Sequence, residues 1–419
     1  MSWLRNLLIA ALAIAATPAF AAVRLTYQLY GTPVPVAWPA SAFPIRYAVD
    51  RKVADAFPPG LIDRAFGEWT KVADANVAFQ PSVVVTGARP GKDGQNSVTF
   101  VDELFKGQNF LALTTNWYDD SGHMTEADIQ IDPSVVAGRY NLQLLVTHEV
   151  GHLLGLDHSA VLSSVMYPFV GRGGSPELDS DDIVAISNLY PKVDPNTTGA
   201  ILTGRVMGDN GGIFAAQVVA LNDDGEPVEA ALTNQQGNFE LDGVPPGTYR
   251  LYAEPLDGPV EVRNLSGIWQ AAKTYSFPTA FLSSGSLRVE AGRVYGNLIV
   301  NSPGSTTLNP KYVGGFAPGT NNVSLDAMPL MLNAGQNIAI AVAGDGFISG
   351  MTTFDIPNPG FHRTTDFSYA GNYVYATFNV AADAPPGSVA ILVKNGNEMA
   401  ALTGALRVSS PTRGRVARR

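Results

Sequence analysis

The sequence predicts an α+β amino-terminal domain followed by two all-β sandwich domains. The chain has 419 residues, enough for two to four domains, and its 46% hydrophobic and 15% charged content is that of a globular protein. The apolar periodicity of helices persists to about Tyr190 and then disappears. Beyond it, short alternating stretches are separated by turn-forming residues, consistent with the 42 Gly and 29 Pro of the chain.

The first domain, predicted over 22–192, combines both element types. Strands are expected over 44–49, 83–85, 97–101, 110–117 and 128–131, the last two joined by the polar turn at 119–122. Helices are expected over 59–73, 139–154 and 181–190, and Ser180 is the expected N-cap of the third.

Two β domains are predicted to follow a linker at 193–199. The first spans 200–302, with turn residues at 223–225, 236–238 and 245–247. A second break, rich in Pro, Gly, Ser and Thr, covers 302–307 and leads into a domain over 303–409. The spacing of the strands suits small β-sandwiches.

The two ends of the chain carry separate signals. Arg5, the apolar run over 7–16 and Ala19-Phe20-Ala21 predict a signal peptide over 1–21 and a mature chain from about Ala22, with an uncleaved anchor as the alternative. We expect no transmembrane helix after its removal, and a secreted, extracellular, periplasmic or surface-associated protein. The basic tail over 410–419 is expected to be solvated, and it contains Arg413, Arg415, Arg418 and Arg419.

Charge and cysteine content exclude several functions. The formal net charge of -10 disfavours nucleic acid as a partner. The sequence contains no cysteine, which excludes a thiol nucleophile, a thiolate zinc site and disulfides. Stability must come from core burial or from a bound metal.

Three of the five histidines lie within eleven residues. His148 and His152 are four residues apart, so a helix places them on one face, where they can bind one zinc ion. Gly155 can end that helix in a left-handed conformation and allow His158 to reach the same ion. Three neutral nitrogens leave a fourth coordination position for water, as in catalytic zinc sites.

Glu149 is the expected general base. Zinc lowers the pKa of its bound water to about 7, so that Glu149 can take a proton as the water attacks a peptide carbonyl. The surrounding helix is apolar nearly all round, and it offers a buried glutamate no cationic partner, since Arg139 is two turns or more away. Burying an unpartnered carboxylate costs free energy, and a metal ion with bound water offsets that cost.

The spacing His148-Glu149-x-x-His152-x-x-Gly155-x-x-His158 resembles the extended zinc signature of the metzincin peptidases, and Ser164-Val165-Met166-Tyr167-Pro168 resembles the Met-turn of the matrixins. The resemblance implies a zincin fold, with Met166 as an apolar floor beneath the zinc ligands. The stretches at 65–72 and 178–191 resemble matrixin helices. The strand at 110–116 would pair with an extended substrate, by analogy with the family.

The chain also departs from the matrixin pattern. It has no propeptide cysteine, and Tyr167 follows Met166 directly, so Tyr167 is not expected to bind zinc. Pro168-Phe169-Val170 replaces the usual Pro-x-Tyr. His123 is expected to be a solvated turn residue rather than a ligand of a second zinc. Calcium and ordinary turn carboxylates are both open for Asp119, Asp120, Asp128 and Asp132.

The β domains have resemblances of their own. The stretch from 204 to 255 resembles the carboxypeptidase regulatory-like, transthyretin-like sandwich, and the segments at 343–347 and 385–396 resemble an Ig-like IPT/TIG domain. Neither shows a catalytic cluster. The sequence therefore predicts a secreted zinc endopeptidase acting on proteins or peptides, whose β domains bind a surface, a protein or a glycan. The alternative is a non-catalytic or very narrowly specific adhesin with a zincin head; a non-peptidase zinc hydrolase is disfavoured.

Overall fold

A computed structural model describes residues 24–29, 32–107, 110–138, 140–171, 173–256, 258–273, 275–316 and 322–409. The predicted signal peptide, the start of the mature chain at Ala22, Arg139 and the basic tail lie outside them. Within these ranges, no helix is both long enough and apolar enough to cross a bilayer.

The first domain is built on a five-stranded sheet with the order β4-β3-β5-β7-β6. A hairpin of β1 (Thr26–Leu29) and β2 (Thr32–Pro35) precedes it. Neighbouring strands are parallel except for β6, which runs antiparallel to β7 and forms one edge. The strands are β3 (Ala48–Asp50), β4 (Val83–Val85), β5 (Ser97–Phe100), β6 (Ala112–Tyr118) and β7 (Met124–Ile131).

Helices cover this sheet, and two of them form the core behind the site. Trp69 on the second helix donates from Nε1 to the Thr147 carbonyl on the fourth, at 2.9 Å. The fourth helix begins after Asn141, whose side chain accepts from the Leu144 amide at 3.1 Å. It ends at Gly155, whose φ of 101° is the left-handed conformation predicted there. The helices are α1 (Arg51–Ala56), α2 (Leu61–Thr70), α3 (Asp102–Phe105), α4 (Leu142–Leu154), α5 (Ser180–Leu189) and α6 (Pro195–Thr198).

Several predicted boundaries were wrong. The cap of α5 is Asp179 rather than Ser180, because Asp179 and Asp182 form a reciprocal capping box. The strand predicted over 44–49 is shortened to β3, and α1, which buries only Val53, was not predicted. The predicted linker contains the short helix α6.

The second unit is a sandwich of two sheets, as predicted. One has the order β11-β10-β13-β14 with β15 beside β13, and the other has the order β12-β8-β16 with β9 beside β8. The strands are β8 (Ala200–Gly208), β9 (Gly211–Gly212), β10 (Gln217–Asn222), β11 (Pro227–Leu232), β12 (Asn238–Val244), β13 (Gly247–Glu254), β14 (Ala280–Phe281), β15 (Leu287–Val289) and β16 (Val294–Asn301).

A second all-β sandwich completes the described chain. Its sheets have the orders β18-β17-β20-β24-β22, with β23 beside β24, and β19-β26-β25-β21. The strands are β17 (Asn309–Phe316), β18 (Val323–Asp326), β19 (Leu330–Leu332), β20 (Asn337–Asp345), β21 (Thr353–Asp355), β22 (Phe361–Arg363), β23 (Ser368–Ala370), β24 (Tyr373–Val380), β25 (Gly387–Asn395) and β26 (Glu398–Val408). The predicted class, an α+β domain followed by all-β sandwiches, is confirmed.

Both sandwiches pack against the loop that follows the fourth helix. Val161 is fully buried in a cluster with Tyr252 of the first sandwich and Ala390 of the second. The Leu162 amide donates to the Thr403 carbonyl at 2.9 Å, and Arg407 donates to the Ser163 carbonyl at 3.2 Å. The β domains therefore pack directly against the first domain and are not connected to it through the linker alone.

A buried carboxyl group at this junction gives stability a pH dependence. Asp181 accepts from Ser159 Oγ at 2.7 Å and from the Ala230 amide of the first sandwich at 2.9 Å. Burial raises the pKa of Asp181 to about 7. The folded state thus binds a proton that the unfolded state has already released, so the contribution of Asp181 to stability falls as pH rises from about 4 to about 7.

We expect Asp181→Asn to stabilise the metal-free protein at pH 8, by on the order of 1–3 kcal/mol, and to have little effect near pH 4. The amide can keep both hydrogen bonds, since its oxygen accepts from Ala230 and its NH₂ donates to Ser159. Urea unfolding at the two pH values measures the difference.

Asp182→Asn is the matched control. Both oxygens of Asp182 accept from two donors each: Ser164 Oγ and the Met166 amide, and the Val165 and Asp179 amides. An amide NH₂ there would face two N–H donors, so we expect destabilisation at both pH values. Equal effects of the two substitutions would contradict the assignment.

Candidate metal centre

The fourth helix presents its polar residues to the edge strand β6. His148 and Glu149 are buried, and His152 is partly buried. Thr114 and Asn116 on β6 contact this face, since Asn116 Nδ2 donates to the His152 carbonyl at 3.0 Å. The cleft between helix and strand is therefore lined on both sides by elements of the first domain.

The three histidines of the signature come together in space. One ring nitrogen from each of His148, His152 and His158 lies within 4.8 Å of the other two, and this is the one such group of three among the described His, Asp and Glu residues. Each Nδ1 faces a backbone carbonyl: Val165 at 2.7 Å, Leu156 at 2.8 Å, and Asn264. A carbonyl only accepts, so each Nδ1 carries the proton and each Nε2 keeps its lone pair.

The spacing of these lone pairs fits a metal ion. The Nε2 atoms of His152 and His158 are 3.2 Å apart, and neither carries a proton to share. Two N ligands in a tetrahedral zinc site, at about 2.0–2.1 Å from the ion, are separated by about 3.3 Å. Burial lowers the pKa of His148 to about 3 and that of His152 well below its usual value. Neutral imidazoles are the form that binds metal.

Glu149 has a partner that its own helix does not supply. Thr114 Oγ1 donates to Glu149 Oε2 at 2.6 Å and also contacts the Glu149 carbonyl at 3.1 Å. Burial raises the pKa of Glu149 to about 7, and the Thr114 hydrogen bond opposes that shift. The helix itself supplies no partner to this carboxylate, as expected, and the partner comes from β6 instead. No sequence pattern pointed to Thr114, which lies 35 positions away on another element.

Met166 lies against the fourth helix. Its amide contacts Ser164 Oγ at 3.0 Å and Asp182 Oδ1 at 3.2 Å, so α5 holds the turn in place. Its sulfur would be 2.1 Å from a Cβ added at Gly151, the residue before His152. Glycine at 151 is thus what allows the turn to approach the helix.

We expect Gly151→Ala to destabilise the protein by about 1–3 kcal/mol, because the new methyl would also be 2.9 Å from the Trp69 ring. Gly67→Ala is the control: position 67 is in the interior of α2, with nothing within 4 Å of an added Cβ. There alanine should stabilise by about 0.5–1 kcal/mol. Chemical denaturation of both variants tests the pair, and a neutral Gly151→Ala would contradict this packing.

A cleft of about 660 Å³ contains the histidines. Its walls are mostly apolar, and they include the edge strand predicted to receive substrate. The first sandwich also reaches it, through Arg263 and Asn264. Other lining residues are Leu25, Phe110, Leu111, Ala112, Leu113, Tyr140, Leu145, Pro168, Phe169 and Val170.

The remaining candidates lie outside this cluster. Asp128 accepts from Gly91 and Ser97, Asp119 from Ser121 and His123, and Asp132 from Ser134. Asp119 and Asp132 thus accept from residues of their own turns, and the buried Asp128 on β7 accepts from the first residue of β5 and from the loop before it. His123 is exposed, and its Nδ1 is 3.6 Å from Asp119 Oδ2. Tyr167 is buried, and no described group bonds its hydroxyl.

Comparison with known proteins identifies two families. Residues 47–191 match the family described as Matrixin, and residues 201–263 match the Carboxypeptidase regulatory-like domain. Metalloendoproteinase 2-MMP of Arabidopsis thaliana is 30% identical over 196 residues, which cover 43% of this chain and 50% of the relative. Metalloendoproteinase 1 of Glycine max is 29% identical over 169 residues, covering 36% and 52%.

A bacterial protein matches over a shorter stretch. Karilysin of Tannerella forsythia is 42% identical over 57 residues, covering 14% of this chain and 12% of the relative. The chain spans about half the length of the plant relatives it matches.

Proposed function

The chain carries a matrixin domain followed by a carboxypeptidase regulatory-like domain, and from this premise we propose that it is a secreted zinc metalloendopeptidase. The observation that carries the proposal is the convergence of three unprotonated Nε2 atoms, with the His152–His158 pair 3.2 Å apart, beside a buried glutamate. His158 lies beyond the end of α4, so helical spacing alone does not explain why its Nε2 lone pair faces that of His152.

In this proposal His148, His152 and His158 hold the metal. A zinc ion there supplies Lewis-acid chemistry, acidifying water and polarising a substrate carbonyl. Glu149 accepts the proton of the attacking water and delivers it to the leaving amine. Thr114 holds the carboxylate toward the cleft through its 2.6 Å bond to Oε2, and Met166 supports the helix from behind.

The proposed substrate is an extended stretch of protein or peptide. The strand β6 lies at one edge of the sheet among the described strands, so a substrate strand can add beside it. The mostly apolar cleft, with Pro168, Phe169 and Val170 in its wall, suits apolar side chains.

We also propose the domain extents 22–192, 200–302 and 303–409, with an IPT/TIG-like third domain, and export directed by residues 1–21. The β domains then support the peptidase and bind a surface, a protein or a glycan. A calcium ion near Asp119, Asp120, Asp128 and Asp132 stays a separate prediction. The second candidate, a non-catalytic adhesin with a zincin head, is less favoured because all three histidines and Glu149 are present.

Hydrolysis of a broad quenched-fluorescent peptide pool by the chain from Ala22 tests the function. We expect cleavage that o-phenanthroline abolishes and zinc restores, and none by Glu149→Ala. If the folded, zinc-loaded wild type cuts no more than that variant, the general peptidase assignment fails. The adhesin would then be favoured.

A further inference from the structure

A loop of the first sandwich reaches the metal centre. The Asn264 carbonyl accepts from His158 Nδ1, although the two residues are 106 positions apart. The Asp157 carboxylate, next to His158, accepts from the amide of Ser266 at 2.8 Å and from its hydroxyl. The first sandwich thus supplies part of the cleft wall beside the third histidine. We call residues 261–266 the cleft loop.

The cleft loop has a fixed conformation. The Glu261 amide donates to Asn264 Oδ1 at 2.9 Å, and the Asn264 amide donates back to the Glu261 carbonyl at 2.8 Å. Leu265 is buried with Trp269 and Leu232 in the core of the sandwich. Because both ends of the loop are anchored, the side chain between them projects from a rigid base.

That side chain is Arg263, which brings a positive charge to the wall of the cleft. It is the one Lys or Arg among the described lining residues, in a chain of net charge -10. Its side chain is 77% exposed, and its Nε lies 3.2 Å from Glu261 Oε2. Such an exposed ion pair contributes little to the free energy of folding. The contact uses Nε, whereas the edge formed by Nη1 and Nη2 can bind one carboxylate through two parallel hydrogen bonds.

The other charges of the cleft complement the same ligand. Glu149 is the one carboxylate among the lining residues, and it is buried beside the histidines. A divalent ion at those histidines would offset its charge. Arg263 then makes the cleft near His158 attractive to an anionic side chain and repulsive to a cationic one.

We propose that Arg263 is a specificity-determining residue that favours substrates with an Asp or Glu side chain close to the scissile bond. This inference rests on the proposed peptidase function. It assigns to the regulatory-like sandwich a part in substrate choice, through a loop that the first domain alone does not contain.

Peptides that differ at one position, with Glu, Gln or Lys placed in turn at each site around the scissile bond, test the proposal. We expect wild type to favour Glu over Lys in kcat/KM by about tenfold at one or more positions, and less so at high salt. Arg263→Ala should bring the Glu and Lys peptides to similar values, and Arg263→Glu should reverse the order. The kcat/KM of the Gln peptide should differ little between wild type and the two variants.

Arg288→Glu is the matched control, because it changes net charge equally from an exposed position on β15, beside a separate hollow. It should keep the wild-type order. The proposal is overturned if wild type does not discriminate between Glu and Lys at any position. It is equally overturned if Arg263→Glu keeps the wild-type preference.

A binding measurement separates this inference from the peptidase function. In a Glu149→Gln background, fluorescence anisotropy of the same peptides should show tighter binding of Glu than of Lys peptides, reversed by Arg263→Glu. If wild type cuts no peptide but this binding order holds, the peptidase function fails and Arg263 keeps its role in selection. If peptides are cut without any charge preference, the peptidase stands and the Arg263 inference fails.

Discussion

Glu149→Gln is expected to lower kcat for peptide hydrolysis by about 10²–10⁴-fold while one zinc per chain is retained. Glutamine has the size of glutamate and can still accept from Thr114 Oγ1, which donates to Glu149 Oε2 at 2.6 Å. It cannot take a proton from water. The loss should therefore lie in kcat, with KM nearly unchanged, as expected for an interaction made in the transition state.

Steady-state kinetics on one quenched-fluorescent peptide, with zinc content measured on the same sample, checks this prediction. Thr114→Val is a useful companion, because it removes the hydroxyl and leaves the carboxylate in place. We expect it to lower kcat by less than Glu149→Gln. Full activity of zinc-loaded Glu149→Gln would rule out Glu149 as the base.

His152→Ala is expected to weaken zinc binding by more than about 100-fold, since loss of even an outer partner of a metal ligand costs 10–100-fold. His152 is central to the cluster: its Nε2 lies 3.2 Å from that of His158, and its Nδ1 donates to the Leu156 carbonyl at 2.8 Å. With two nitrogens left, the site loses its preferred coordination. Peptidase activity should fall to background.

Competition with a chromophoric chelator measures the zinc affinity of both proteins. Zinc should also raise the melting temperature of wild type and hardly that of His152→Ala, because a ligand that binds only the folded state stabilises it. His123→Ala is the control, since His123 is exposed and outside the cluster. Equal zinc affinity of wild type and His152→Ala would contradict the assignment of the ligands.

The local features of the site could be predicted from the sequence. Gly155 is a residue type that ends helices, and α4 ends there as predicted. The start was predicted at 139, whereas α4 begins at Leu142, after the Asn141 cap. The spacing of His148 and His152 needed only the period of a helix. The start of α5 was harder to predict, because Asp179 and Ser180 are both good caps and the reciprocal bond of Asp182 decided between them.

Contacts between distant elements could not be predicted. Thr114 and Glu149 are 35 positions apart, and His158 and Asn264 are 106 positions apart. Periodicity reports which face of an element is buried, not which element covers it. For the same reason the sequence predicted the β domains only as binding domains, and nothing in it indicated that Asn264 and Ser266 bond residues of the zinc signature region.

Zinc titration of the metal-free full chain, followed by the rate of peptide cleavage, tests whether one zinc ion at the three histidines is required for peptide hydrolysis. We predict a rate that rises linearly and reaches its plateau at one zinc per chain. The products should be those of cleavage at peptide bonds. A folded protein that binds one zinc at the histidines and shows no rise in cleavage would contradict the claim, as would a rate independent of zinc.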